Sequence, residues 1–311
     1  MLEIRPRECP ICGDQRPEVV GEILHPFPAK VADVIIDLQD LRFFLVRCSK
    51  CSFQYKDPPI PQEALLKCYE HTEDGHLGED VDPYFRCFDI IADLLRRHAP
   101  GKCVLDIGCF NGSLLSFLGQ DWQRFGIEPS RAATVIAKER GIGILGRTIE
   151  ELPNNIEPFD AITVIDVLEH LPDPVGFFTR IHSLLKPGGV LLAVTADTGS
   201  LHWHMLNCRY WYCSLPGHVG FFSRETMQFI GSKLGWEMRE FQRLRHERAK
   251  FYGRTMEMAK NVGYWIGWKC CGFGLPLIRR FVIERRAPGW VSAKDHMYVV
   301  MRRSVPSPDG L

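Results

Sequence analysis

An α/β fold, with a parallel sheet carrying helices on both faces and a small cysteine-rich module ahead of it, is what the sequence predicts. Three observations carry that expectation. Short apolar runs alternate with helical patterns of about ten residues from 102 to 195, the mark of βαβ units and a parallel sheet. Within that alternation, KCVLDIGCFNGSLL (102–115) runs from an apolar strand through two glycines into a helical pattern. Ahead of it, Cys9-Pro-Ile-Cys12 and Cys48-Ser-Lys-Cys51 repeat a two-residue cysteine spacing.

Length and composition bound the reading. At 311 residues there is room for one α/β domain of about 200 residues and a smaller module. The 45% apolar and 24% charged content is that of an ordinary soluble globular protein. Lys+Arg and Asp+Glu are both 38, so the neutral net charge gives no general case for nucleic acid as a partner. The chain opens MLEIRPRECP without an apolar leader, and no run of about 18 apolar residues follows. Twelve cysteines, four of them in a metal-ligand pattern, fit reduced thiols in a cytoplasm better than disulfides.

The elements follow in order. Residues 1–60 form the cysteine module. Each C-x-x-C turn lets backbone amides face its two sulfurs, and Cys9, Cys12, Cys48 and Cys51 together supply four thiolates for a tetrahedral structural zinc. The intervening stretches 31–38 and 41–46 are apolar enough for a small ribbon. Residues 61–100 read as a linker and helices. Asp82 and Pro83 open an amphipathic helix to 98, and Tyr69, Tyr84 and Phe85 stand where a ligand mouth can form.

The core spans 101–244. Strands are expected at 102–107, 122–127, 142–145, 159–165, 189–195 and 236–244, with helices at 112–119, 130–140 and 173–185. The glycine turn places its backbone against a ligand at the carboxyl edge of the sheet, where a Cβ would clash. Its spacing is D-x-G-x-x-x-G, not the dinucleotide G-x-G-x-x-G. The acid inside the strand, Asp106, suits a ligand with a positive amino group. Glu128 stands about 20 residues beyond the turn, where a carboxylate accepts ribose hydroxyls.

The turn resembles motif I of the class I S-adenosylmethionine-dependent methyltransferases, with Phe110 where a middle glycine is common. FDAITVIDVLEHLPDP (159–174) and LLKPGGVLLAV (184–194) resemble the same family's later motifs, in the right order. The resemblance implies a Rossmann-like seven-stranded methyltransferase sheet, and its branch holds ubiquinone-type O-methyltransferases and sugar methyltransferases. It implies S-adenosyl-L-methionine as cofactor, with Asp106 on the methionine amino group, Gly108 and Gly112 permitting close approach, and Glu128 on the ribose. Thr148 and Ile149 would flank the adenine, and Asp166 would sit beside the sulfonium. An N-terminal four-cysteine zinc module occurs in sugar C-methyltransferases of that branch.

Methyl transfer is an in-line displacement in which alignment supplies the larger share, on the order of 7–11 kcal/mol. A general base for a hydroxyl acceptor adds roughly 10²–10⁴-fold. His170, in LEH, and His218, in PGHVGFFS before a helix capped by Ser223, are the candidates. His202 and His204 are weaker ones, and Tyr210 and Tyr212 stand where an acceptor pocket is shaped. Related sugar C-methyltransferases carry a paired H-E-H before the F-S helix start, whereas here only His218 precedes FFS. O-methylation of a small molecule or glycan precursor is therefore placed ahead of C-methylation. A non-catalytic zinc-ribbon binding protein is the alternative of a different class.

The last two strands are expected at 236–244 and 296–303, separated by an insertion at 245–294, with 295–311 as final strand and tail. Residues 239–303 hold 15 Lys+Arg against 5 Asp+Glu, a net of +10 in a neutral chain. The stretch 264–281 is aromatic, glycine-rich and flanked by basic residues. That pattern fits a lid, an oligomer contact, or peripheral contact with a membrane or lipid-linked acceptor.

Overall fold

The structure, a computed structural model, describes residues 6–25, 29–31, 34–36, 41–60, 87–245, 251–270 and 286–305. Asp82, Pro83, Tyr69, Tyr84 and Phe85, and the end of the 264–281 stretch, lie outside the described residues.

The amino-terminal module comprises β1 (Glu18–Ile23), β2 (Ala29–Val31), β3 (Val34–Ile36), β4 (Phe43–Arg47) and β5 (Gln54–Asp57). The core follows as α1 (Phe88–His98), β6 (Cys103–Ile107), α2 (Ser113–Leu118), β7 (Gln123–Ile127), α3 (Arg131–Glu139) and β8 (Gly143–Gly146). Next come β9 (Phe159–Ile165), α4 (Pro174–Leu184), β10 (Leu185–Ala196), α5 (Leu201–Leu206), β11 (Gly220–Phe221) and α6 (Arg224–Leu234). The chain closes with β12 (Trp236–Leu244), α7 (Phe251–Cys270) and β13 (His296–Arg303).

Seven strands form one sheet in the order β12-β13-β10-β9-β6-β7-β8. All neighbours in it are parallel except β13, which runs antiparallel to both β10 and β12. Successive residues of β6 face opposite sides, as strand geometry requires. Val104 packs with Ile91 and Leu95 of α1 and with Leu114, while Leu105 packs with the layer that holds Phe178 and Ile230. From β6 the chain moves outward to β7 and β8, then returns to place β9 on the other side. That reversal opens a crevice at the carboxyl ends of β6 and β9, where open α/β sheets bind ligands.

Local chemistry explains the helix starts. Ser130, Asp173 and Ser223 each accept a bond from the backbone amide three residues on, at Ala133, Gly176 and Thr226. Gly235 closes α6 in the left-handed conformation at φ 68°. One strand differs from expectation. β10 begins at Leu185, not 189, because the KPGG turn is absorbed as a register shift between Leu185 and Val190 in its pairing with β9.

The small module does not stand apart. β1, β4 and β5 form a sheet whose fourth strand is β11, contributed from beyond β10, with Gly220 opposite Tyr55 and Phe221 opposite Gln54. Trp203 of α5 donates its indole N–H to Gln54 (3.1 Å), tying the same layer together. The insertion between β12 and β13 contains the 20-residue α7.

Candidate active site

At the carboxyl end of β6 the chain turns through Gly108 and Gly112, both left-handed at φ 79° and 76°. A Cβ on Gly108 would come within 2.6 Å of Val167 Cγ2, so only glycine fits beside the loop that follows β9. Phe110, between them, also takes a left-handed conformation (φ 48°), as does Asp166 after β9 (φ 53°). A cavity of about 310 Å³ opens over this turn. Asp106, Gly108, Phe110, Asp166 and Tyr298 line it, with Phe88 and Ile91 of α1 on its wall.

Three carboxylates surround the turn in different states. Asp106 is buried, accepts a 2.6 Å bond from the Thr163 hydroxyl, and has its pKa pushed up to about 7 by burial. Glu128 is also buried, and burial raises its pKa too. Its two oxygens take the amides of Phe110 (2.9 Å) and Ser130 (2.8 Å), so it fastens the glycine turn to the end of β7. Asp166 reaches the cavity and faces the buried His296 imidazole, 3.9 Å from Nε2. His296 is in turn held by Asp295 (2.9 Å), and its pKa is raised to about 9, burial opposing the carboxylates of Asp295, Asp166 and Glu169.

Beyond Asp166, the short 3-10 turn Leu168–His170 carries two more groups. His170 Nδ1 lies 2.9 Å from the Gly217 carbonyl. A carbonyl only accepts, so Nδ1 donates a proton in this bond and the ring is oriented by it. His218 stacks edge-on against it, with ring centroids 4.8 Å apart. Burial, with His170 and Lys56 nearby, holds the His218 pKa well below 6.5, and its Nδ1 has no hydrogen-bond partner among the described residues. Glu169 completes the group. Its oxygens accept from the Tyr212 hydroxyl and from Thr195 (2.9 Å), and its ligand-type atoms lie within 4.8 Å of those of both histidines.

Residues 81–240 match the sequence pattern of a methyltransferase domain. The chain belongs to the class I S-adenosylmethionine-dependent methyltransferase family. Over 140 residues it is 31% identical to a ubiquinone biosynthesis O-methyltransferase of Erwinia tasmaniensis, covering 42% of this chain and 58% of that protein. A Salmonella enteritidis protein of the same name is 32% identical over 113 residues, 34% of this chain and 47% of the relative. The chain thus spans about half the length of the curated relatives it matches. Among solved structures, a possible histamine N-methyltransferase from Thermotoga maritima gives a TM-score of 0.44 at 20% identity, over 70% of this chain and 89% of that one. Magnesium protoporphyrin IX methyltransferase from Synechocystis, with bound S-adenosylhomocysteine, gives 0.46 at 15% identity over 78% and 93%.

In this chain, Asp106, Gly108 and Asp166 line the cavity, while Gly112, Glu128, Thr148 and Ile149 lie outside its walls. Ile149 is buried in the layer that holds Leu152 and Leu168, and Thr148 precedes the 3-10 turn Ile149–Glu151. The residues present fit S-adenosylmethionine. A buried carboxylate waits at the glycine turn, and each Glu128 oxygen retains acceptor capacity beside its one amide.

The four cysteines fit a tetrahedral zinc. Cys9 and Cys51 sulfurs lie 3.5 Å apart, as do those of Cys12 and Cys48, and all four are within 4.8 Å of one another. A Zn–S length of about 2.3 Å sets tetrahedral sulfur separations near 3.8 Å. The two knuckles share one backbone design, with Gly13 and Ser52 left-handed and donating to the Cys9 and Cys48 carbonyls.

The weaker histidine candidates have structural partners. His202 packs edge-on against Trp290, and His204 bonds the Ser200 carbonyl. Tyr210 and Tyr212 are buried, donating to Asp295 and Glu169. Sequence reasoning missed Lys56, Glu169 and the Asp295–His296 pair. Lys56 is fully buried, donates to the Leu215 carbonyl (2.5 Å), and has its pKa lowered to about 7 by burial. Glu169 had a local signal, standing directly before His170. Asp295 and His296 are sequence neighbours whose burial is not visible locally, and Lys56 meets Leu215 only through tertiary pairing.

Proposed function

We propose that this methyltransferase transfers a methyl group to a hydroxyl of a small molecule or glycan precursor, with His170 as general base and His218 as its supporting imidazole. The observation that carries the reading is the pair itself: two histidines 48 residues apart in the sequence, brought ring to ring just beyond Asp166, one of them oriented by its Nδ1 bond to the Gly217 carbonyl. S-adenosylmethionine, when bound, supplies an electrophilic methyl on a sulfonium. Asp106 receives the methionine ammonium, Glu128 clasps the ribose, Thr148 and Ile149 flank the adenine, and Asp166 faces the sulfonium end. His170 Nε2 takes the hydroxyl proton as the acceptor oxygen attacks, and His218, kept neutral by burial, adds no opposing charge. The ubiquinone-type relatives support an oxygen acceptor. The Cys9, Cys12, Cys48 and Cys51 cluster holds a structural zinc, closed to chemistry because all four positions are thiolates.

Calorimetric titration of S-adenosylhomocysteine tests the cofactor half, with Glu128→Ala losing binding and His170→Gln keeping it. Transfer of a labelled methyl group to a panel of hydroxylated acceptors tests the other half. Turnover undiminished in His170→Gln removes the base assignment.

A further inference from the structure

The insertion helix α7 turns an apolar face to solvent. Five of the twelve exposed large hydrophobic residues among the described residues stand on it: Tyr252, Met256, Met258, Val262 and Ile266. Tyr252 is 73% exposed, Met258 52% and Ile266 50%, values at odds with a helix packed into the body. At about 3.6 residues per turn, Tyr252, Met256, Ala259, Gly263 and Ile266 fall along one line. Lys260 lies on one flank of that line and Lys269 on the other. Lys269 Nζ sits 5.0 Å from the Trp268 ring centroid, a cation–π contact that holds the ammonium at the helix end.

The opposite face is committed inward. Asn261 is buried and bonds the Glu257 carbonyl, and Tyr264 and Trp265 pack on the cluster of Trp203 and Trp290. Glu257, the only carboxylate in 251–270, accepts from the Ser292 amide and hydroxyl. Tyr264 and Trp265 therefore anchor the helix, and the exposed apolar stripe is the other face, beginning upstream at Tyr252.

We propose that this outward face of α7 docks on an anionic lipid bilayer, the helix lying flat in the interface. An apolar strip bordered by cations matches such a surface, with acyl chains under the strip and acidic headgroups at the lysines. No helix of the described residues is long and apolar enough to cross a membrane, so the contact is peripheral. A second copy of the chain fits less well. A two-fold interface sets the same patch against itself, bringing the lysines of both copies into one contact with no carboxylate on the helix left to answer them. The proposal is independent of the acceptor and of the base.

Flotation with vesicles tests it on the full chain, using phosphatidylcholine alone against phosphatidylcholine with phosphatidylglycerol. Binding to the anionic vesicles only is expected. Lys260→Gln with Lys269→Gln should weaken it roughly 30-fold, about fivefold for each cation removed. Met256→Glu with Ile266→Glu should weaken it at least about tenfold by placing charge in the strip. S-adenosylhomocysteine titration of each variant reports that the protein is folded and keeps this test separate from the methyl-transfer reading. Binding that survives the strip substitutions, or its absence in wild type that binds S-adenosylhomocysteine, overturns the proposal. So does a dimer in sedimentation that Ile266→Glu converts to monomer.

Discussion

Replacing Asp106 with asparagine should separate two roles that one carboxyl plays. The group is buried at the end of β6, and burial raises its pKa from the ordinary 3.8 to about 7, against one 2.6 Å bond from Thr163. The folded protein therefore holds this proton more tightly than the unfolded chain does. The stability is fully present below about pH 4 and declines as pH rises through about 7. At 1.36 kcal/mol per pKa unit, the full excursion is on the order of 4 kcal/mol. Asparagine keeps an oxygen for Thr163 and carries no charge at any pH. Asp106→Asn should consequently gain on the wild type by up to about 4 kcal/mol between pH 4 and pH 8, read as urea midpoints. The same substitution removes the partner of the ligand ammonium, and a bond to a charged group of about 1.5–3 kcal/mol corresponds to a loss of roughly 10–150-fold in S-adenosylhomocysteine affinity. Parallel stability curves for the two proteins across that pH range would refute the reasoning, because the buried carboxyl would then carry no penalty.

Other outcomes follow from the same geometry. Gly108→Ala forces a Cβ to within 2.6 Å of Val167 Cγ2 at φ 79°, and should cost at least about 2 kcal/mol in urea unfolding. A midpoint equal to wild type would mean that the turn relaxes freely. His170→Gln should lower kcat by roughly 10²–10⁴ with a hydroxyl acceptor while leaving S-adenosylhomocysteine affinity within about twofold, measured by single-turnover methyl transfer and calorimetry. Chelation of zinc should unfold residues 9–57, since a structural zinc contributes on the order of 10 kcal/mol to such modules. Near-ultraviolet circular dichroism should change, while S-adenosylhomocysteine binding persists because its cavity is built on β6, β9 and β10.

What was legible in the sequence followed local rules. Strands 159–165, 236–244 and 296–303 are where the sequence pattern places them. The KPGG turn misled the boundary of β10, since tertiary pairing with β9 continued through it. Around the candidate site, spacing along one βαβ unit singled out Asp106 and Glu128, and both are buried beside the glycine turn. That Glu128 already binds the amides of Phe110 and Ser130 was not visible, because those contacts depend on a left-handed Phe110. The histidine pair was found as two isolated candidates. Their meeting needs β11 to join β5 and the 217–219 backbone to close over Leu168–His170, which no local pattern encodes. His296 read as an ordinary strand residue, since its partner Asp295 gains meaning only once both are buried.

The β5–β11 pairing has a consequence for how such a protein diversifies. Lys56 donates through its backbone to Val219 and through its side chain to Leu215, on either side of His218. The strand that leaves the second cysteine knuckle is thus the floor of the segment that carries His218. The His218 segment and the four-cysteine module are thereby joined in one structural unit. Grafting the module from a relative would therefore move the backbone around His218 as well, so the two are expected to change together.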